Sequence, residues 1–115
     1  MENFTRLCKT NELKNKVGKK FVLEDDSEIA VFKVDEKFYA VTNTCPHNQS
    51  KVMFEGIVDN DLYLNCPIHC YKFSLETGKT PESNPEMSGK LKIYNTKIVN
   101  DELWIEMKKK LYYTW

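Results

Sequence analysis

The chain contains only two histidines among its 115 residues. It also has no charge of one sign to spare: Lys+Arg and Asp+Glu both count 17, and the formal net charge is zero. A domain without a basic excess has no electrostatic reason to hold nucleic acid or an anionic membrane surface. Long hydrophobic runs are missing too. The opening stretch MENFTRLCKTNELKNK is charged throughout, so neither a secretory leader nor a membrane anchor is read there. The expected setting is cytoplasmic, with no membrane and no nucleic acid among the partners. Thiols stay reduced in that compartment. Four cysteines in such a chain point to metal or redox chemistry rather than a disulfide framework. No repeat or low-complexity linker is visible. A content of 41% hydrophobic and 30% charged residues suits an ordinary folded domain. The length suits one domain, expected over residues 1–108, with 109–115 as a basic, then aromatic tail.

Alternation of apolar and polar residues dominates what is there. EIAVFKV and FYAVT flank DEK and read as a β-hairpin over Glu28–Thr42. GIV and LYLN flank DND, a second hairpin over Gly56–Asn65. LKIYNTKIV and ELWIEM flank ND, a third over Leu91–Met107. YKFSL runs into ETGK, a turn with glycine where positive φ is cheap. Short strands rich in β-branched and aromatic residues, with polar turns, argue for an all-β sandwich or barrel. One or two helical turns are expected in TNELKNKVG, capped by Thr10 or Asn11 and ended by Gly18. TPESNPEMSG, Thr80–Gly89, has two prolines and no alternation and reads as a loop.

The chemistry concentrates in two of the connections. TCPHNQ holds Cys45 and His47 after the run FYAVTN; NCPIHCYKF holds Cys66, His69 and Cys70 after LYLN. A lone cysteine is usually a small buried apolar residue, and a lone histidine a surface group. Here both histidines of the chain follow a Cys-Pro, which chance rarely produces twice. A tetrahedral zinc site could use Cys66-x-x-His69, but Cys45-x-His47 has one intervening residue, tight for two ligands on one ion. A two-iron cluster with mixed ligation removes that difficulty. Two cysteines then hold one iron and two histidines the other, so neighbouring side chains need not share an ion.

CPH, eighteen residues, then CPIH resembles the Rieske iron–sulfur motif, C-x-H followed by C-x-x-H. The likeness extends through FYAVTNTCPH and FEGIVDNDLYLNCPIHCYKFSLETGK, roughly Phe21–Met107. The resemblance implies a Rieske-type sandwich of antiparallel sheets with two cluster-binding loops at one tip. It implies one [2Fe–2S] cluster held by Cys45, His47, Cys66 and His69. A third loop would cover the cluster, with Pro81 and Pro85 in TPESNP at about that place. High-potential members of that family join the loops by a disulfide; the corresponding positions here are Ser50 and Ile68. They also place hydroxyl donors two and four residues after the second histidine, where this chain has Tyr71 and Phe73. Fewer donors to sulfur favour a low-potential, ferredoxin-like class. Two further departures are Cys70, where the family usually has glycine, and Gln49–Ser50, where small residues are common.

Charge counting sets such a centre above an all-thiolate cluster. With two neutral imidazoles in place of two thiolates, the oxidised centre sums to zero rather than minus two, so it accepts an electron more easily. The outer nitrogens of His47 and His69, near solvent, would couple the potential to pH at alkaline values. The implied function is a soluble one-electron carrier, a ferredoxin with no catalytic site of its own. It would be a monomer that meets redox partner proteins, a reductase and a terminal oxygenase or reductase. After His47 and His69 no histidine remains for a mononuclear iron triad. The alternatives are a small subunit of a larger, nitrite-reductase-like oxidoreductase and a zinc-binding interaction module without redox activity.

Overall fold

A computed structural model of the chain describes residues 4–23, 26–44, 51–67, 72–79 and 91–106. Among the described residues ten strands run in chain order: β1 (Phe4–Lys9), β2 (Lys19–Val22), β3 (Glu28–Val34), β4 (Lys37–Thr42) and β5 (Ile57–Val58), then β6 (Tyr63–Asn65), β7 (Lys72–Ser74), β8 (Ile93–Tyr94), β9 (Thr96–Val99) and β10 (Glu102–Glu106). They form three antiparallel sheets. The central sheet has the order β2-β3-β4-β8, the outer sheet β1-β10-β9, and the loop-bearing sheet β5-β6-β7. This is the all-β sandwich of antiparallel sheets that the sequence led us to expect. No helix among the described residues is long and apolar enough to cross a membrane.

Strand β3 explains the layering. Its stretch Ile29-Ala30-Val31-Phe32 is fully buried at every position. Ala30, Phe32 and Val34 belong to one core with Val41, Met53, Val58, Leu64, Phe73, Leu75 and Leu91. Ile29 and Val31, on the opposite pleat, belong to a second core with Ala40, Leu103, Ile105, Cys8 and Leu13. Successive side chains of a strand point to opposite faces. The central sheet is therefore covered on both sides, by the loop-bearing sheet on one and the outer sheet on the other.

Two expectations need correction. The third hairpin is not continuous: its first run breaks at Asn95 into β8, which pairs with β4, and β9, which pairs with β10. Asn95 pins the crossing, its Nδ2 donating to Glu106 Oε1 (2.8 Å) and its carbonyl accepting from Glu106 N–H (2.9 Å). The helical stretch shrinks to a single 3-10 turn over Thr10–Glu12, preceded by Lys9 at the cap position. Asn15 keeps the helix from continuing. Its Oδ1 accepts from Asp35 N–H (2.7 Å) and its backbone bridges to Lys33, while Lys16 turns to φ 61°. Asn side chains that bind backbone in this way compete with helix. The first two hairpins stand, with Asp35-Glu36 as the turn of the first and Lys37 inside its second strand.

Candidate metal centre

Each expected ligand loop leaves a strand end whose backbone is firmly held. The central sheet ends at Thr42, and the next residue, Asn43, is the buried polar residue of the described chain, fully inaccessible to solvent. Its N–H donates to Glu28 O (2.9 Å), anchoring it to β3. Most of its other partners lie beyond the first loop. Nδ2 donates to Lys51 O (3.0 Å) and also to Glu28 Oε1 (3.1 Å). Oδ1 accepts from Phe54 N–H (2.8 Å), and the carbonyl accepts from Met53 N–H (3.1 Å). Lys51 Nζ also lies 3.8 Å from Glu28 Oε2. Both ends of the segment carrying Cys45 and His47 are thus tied at one point.

The second loop starts from the loop-bearing sheet. Asn65 pairs with Lys72 as the last rung of the β6–β7 ladder, and Cys66 is the next residue. The Cys66 thiol is free and fully buried, in one core with Leu64, Phe73, Val58 and Met53. Met53 sits just past the exit of the first loop, so the exit of one loop packs in the same core as the start of the other. Gly56 tightens this meeting: a Cβ there would lie 2.6 Å from Asn65 O and 2.8 Å from Leu64 Cδ1. Only a residue without a side chain lets the strand entering β5 approach so closely.

The third loop is anchored beside the other two. Gly78, at φ +79°, turns the chain after β7, donating to Ser74 O (2.8 Å) and accepting from Leu91 N–H (2.8 Å). Thr42 N–H donates to Lys92 O (2.9 Å), so Lys92 lies beside the end of β4.

Asp59 fixes the turn that leads into β6. Burial pushes its carboxyl up, but the N–H groups of Tyr63 and Asp61, the Asn65 amide and Lys72 outweigh that and hold it below the usual carboxylate range. An open groove of about 560 Å³ around Asp35, Glu36, Lys16 and Asn60 lies at the opposite end of the β3–β4 hairpin and contains no candidate ligand.

Of the four candidate ligands, Cys66 is placed by the structure. Cys45, His47 and His69 lie outside the described residues, as do Gln49, Ser50, Ile68, Cys70, Tyr71, Pro81, Pro85 and the tail 109–115. No three His, Cys, Asp or Glu side chains among the described residues converge as a metal set. What is described fits an iron–sulfur cluster: a free thiol at a strand end, walled from water by apolar side chains, where two loop bases meet. Phe73, fully buried in that wall, has no hydroxyl to donate. Asn43 was not singled out by sequence reasoning. Its signal was a polar residue closing an apolar strand two positions before Cys45, in VTNTC.

Comparison with known proteins gives a consistent picture. The model of the Rieske-like [2Fe–2S] domain family matches residues 3–106. The biphenyl dioxygenase ferredoxin subunit of Pseudomonas sp. (strain KKS102) is 27% identical over 106 residues, 92% of this chain and 94% of that one. Among solved structures, a protein assigned as the NADH-dependent nitrite reductase small subunit of Mycobacterium tuberculosis superposes with a TM-score of 0.83 at 23% identity. It covers 93% of this chain and 96% of its own. A ferredoxin seen in complex with the reduced oxygenase of carbazole 1,9a-dioxygenase has a TM-score of 0.80 at 23% identity, covering 96% and 99%. The structural likenesses show the shared fold.

Proposed function

The chain belongs to the Rieske-like [2Fe–2S] domain family, with one [2Fe–2S] cluster as its cofactor, and on that premise we propose that it is a soluble, cytoplasmic one-electron carrier. Cys45 and Cys66 would hold one iron, His47 and His69 the other. When bound, such a cluster takes up and returns a single electron. The observation that carries the ligand assignment is Cys66: a free, fully buried thiol in the core that the exit of the first loop also enters. The zinc alternative gives way to the family's cofactor.

In this reading the protein has no catalytic site of its own. It accepts an electron from a reductase and delivers it to an oxygenase, as a monomer. The similarity to dioxygenase ferredoxin subunits supports the choice of an oxygenase as acceptor. A second reading, the small subunit of a larger nitrite-reductase-like enzyme, is favoured by the likeness to the mycobacterial structure. Size-exclusion chromatography of the chain from its native extract separates the two. A carrier elutes alone and is reduced by a separate reductase; an integral subunit co-elutes with a large partner.

The donor set argues for a low potential. Phe73 contributes no hydrogen bond, and hydrogen bonds to cluster sulfur favour the reduced state. A midpoint toward the lower end of the Rieske range, about −150 mV, is expected in protein-film voltammetry. A value at the top of that range would contradict the assignment.

A further inference from the structure

We propose that Asn43 is the positioning residue of the first ligand loop, and that with Glu28 it sets how tightly the loop's side of the cluster is held. The proposal rests on the reading that Cys45 and His47 are ligands. It concerns a residue that would touch neither iron nor sulfide.

The geometry separates this role from ordinary core packing. An asparagine side chain offers two N–H donors and one carbonyl acceptor. All three are used here, two of them on backbone groups just past the loop: Lys51 O at 3.0 Å and Phe54 N at 2.8 Å. The remaining donor goes to Glu28 Oε1 at 3.1 Å, on the strand that flanks β4. The two backbone bonds of Asn43, to Glu28 O and from Met53 N–H, run in the same two directions. One buried residue therefore binds the strand before the loop to the segment after it. Without the side-chain bonds the loop's exit is held to its entrance by the backbone bonds of Asn43 and by Met53 in the first core.

The amide, rather than a carboxylate, is required by its surroundings. Both atoms facing Nδ2 are acceptors: the Glu28 carboxylate and the Lys51 carbonyl. Replacing Nδ2 by oxygen would set a second carboxylate against the first with no cavity formed. Asn43→Asp thus tests the electrostatics of the clasp at constant shape. Adding Glu28→Gln restores a donor between the same two positions.

The experiment measures the rate at which the oxidised, cluster-loaded protein yields iron to a chelator in excess, alongside its thermal unfolding midpoint. Partners that orient ligands from outside the metal's own shell are typically worth about 10- to 100-fold in metal affinity. Asn43→Ala and Asn43→Asp are expected to release iron faster by about that range. Asn43→Asp/Glu28→Gln is expected to recover part of the loss. Leu103→Ala, in the second core, serves as the control: it lowers the unfolding midpoint but should release iron at the wild-type rate. Equal release from Asn43→Ala and a Leu103→Ala variant of matched midpoint would overturn the proposal. If Asn43→Ala does not accumulate, Glu28→Ala removes one partner from the half-buried side of the clasp. It is expected to show a smaller acceleration, and wild-type release from it would overturn the proposal equally. Cys45→Ala keeps the two ideas apart. A full cluster in Cys45→Ala defeats the ligand assignment; cluster loss in Cys45→Ala with wild-type release in the Asn43 variants defeats the clasp alone.

Discussion

Cys8 and Cys66 are both free and both buried, yet they sit in different cores and face different tasks. Cys66 directly follows β6 where two loop bases meet; Cys8 lies within β1, packed with Leu13, Leu103 and Ile105. Cys66→Ala is expected to abolish the visible absorption of the cluster. Cys8→Ala is expected to keep it and to cost roughly 1 kcal/mol of stability, the scale of a small lost buried group. A colourless Cys8→Ala protein would mean the two thiols had been assigned the wrong way round. The pH behaviour of Cys8 gives a second check. Burial, then the nearby Glu12 carboxylate, pushes its thiol above the ordinary range, against the weaker pull of Lys19 and Arg6. The neutral thiol's contribution to stability is complete below the unfolded thiol's pKa of about 8.5 and is lost as pH rises beyond it. Denaturant midpoints should therefore fall more steeply with alkaline pH in the wild type than in Cys8→Ala; parallel curves would count against it. At this scale the sequence was legible where residue types are rare. Two histidines, each just after a Cys-Pro, stood out without any structure. Asn43 did not, because an asparagine after a strand reads as an ordinary turn residue until its burial and partners are known.

The same division holds for whole elements. The hairpins of β3–β4 and β5–β6 were readable because short apolar runs flank compact polar turns. Strand β1 was not: FTRLCK carries two charges and buries one residue, Cys8. Strand β2, KKFV, lies at the edge of the central sheet, where lysines guard an open strand and hide its periodicity. The split of β8 from β9 goes with the Asn95–Glu106 contact, a side-chain pairing that alternation of apolar and polar residues does not show. The ETGK turn, by contrast, was anticipated from glycine alone. Gly78 has φ +79°, and a Cβ there would collide with Leu91 O. Gly78→Ala should cost well over about 1 kcal/mol in chemical denaturation, since both the backbone conformation and the space are denied to alanine. Wild-type stability in Gly78→Ala would show that this turn relaxes at no cost.

Across the whole molecule, one sheet serves two cores. The core with Phe32, Phe73, Met53 and Cys66 lies under the proposed ligand loops, and the core with Ile29, Leu103 and Ile105 lies on the other face of the central sheet. Ligand binding to the native state stabilises it, and metal sites couple to the folding of the segments that form them. Removing the cluster should lower the unfolding midpoint. It should speed amide exchange in β5–β7 more than in β1, β9 and β10. Uniform acceleration in all three sheets would mean that the two cores open together. The central claim is that one [2Fe–2S] cluster is held by two cysteines and by both histidines of the chain. Its most direct test is electron paramagnetic resonance of the dithionite-reduced protein with resolved nitrogen hyperfine couplings. The expected result is a single paramagnetic centre coupled to two imidazole nitrogens, which in this chain must be His47 and His69. A cluster without nitrogen coupling, or no paramagnetic centre on reduction, would contradict it.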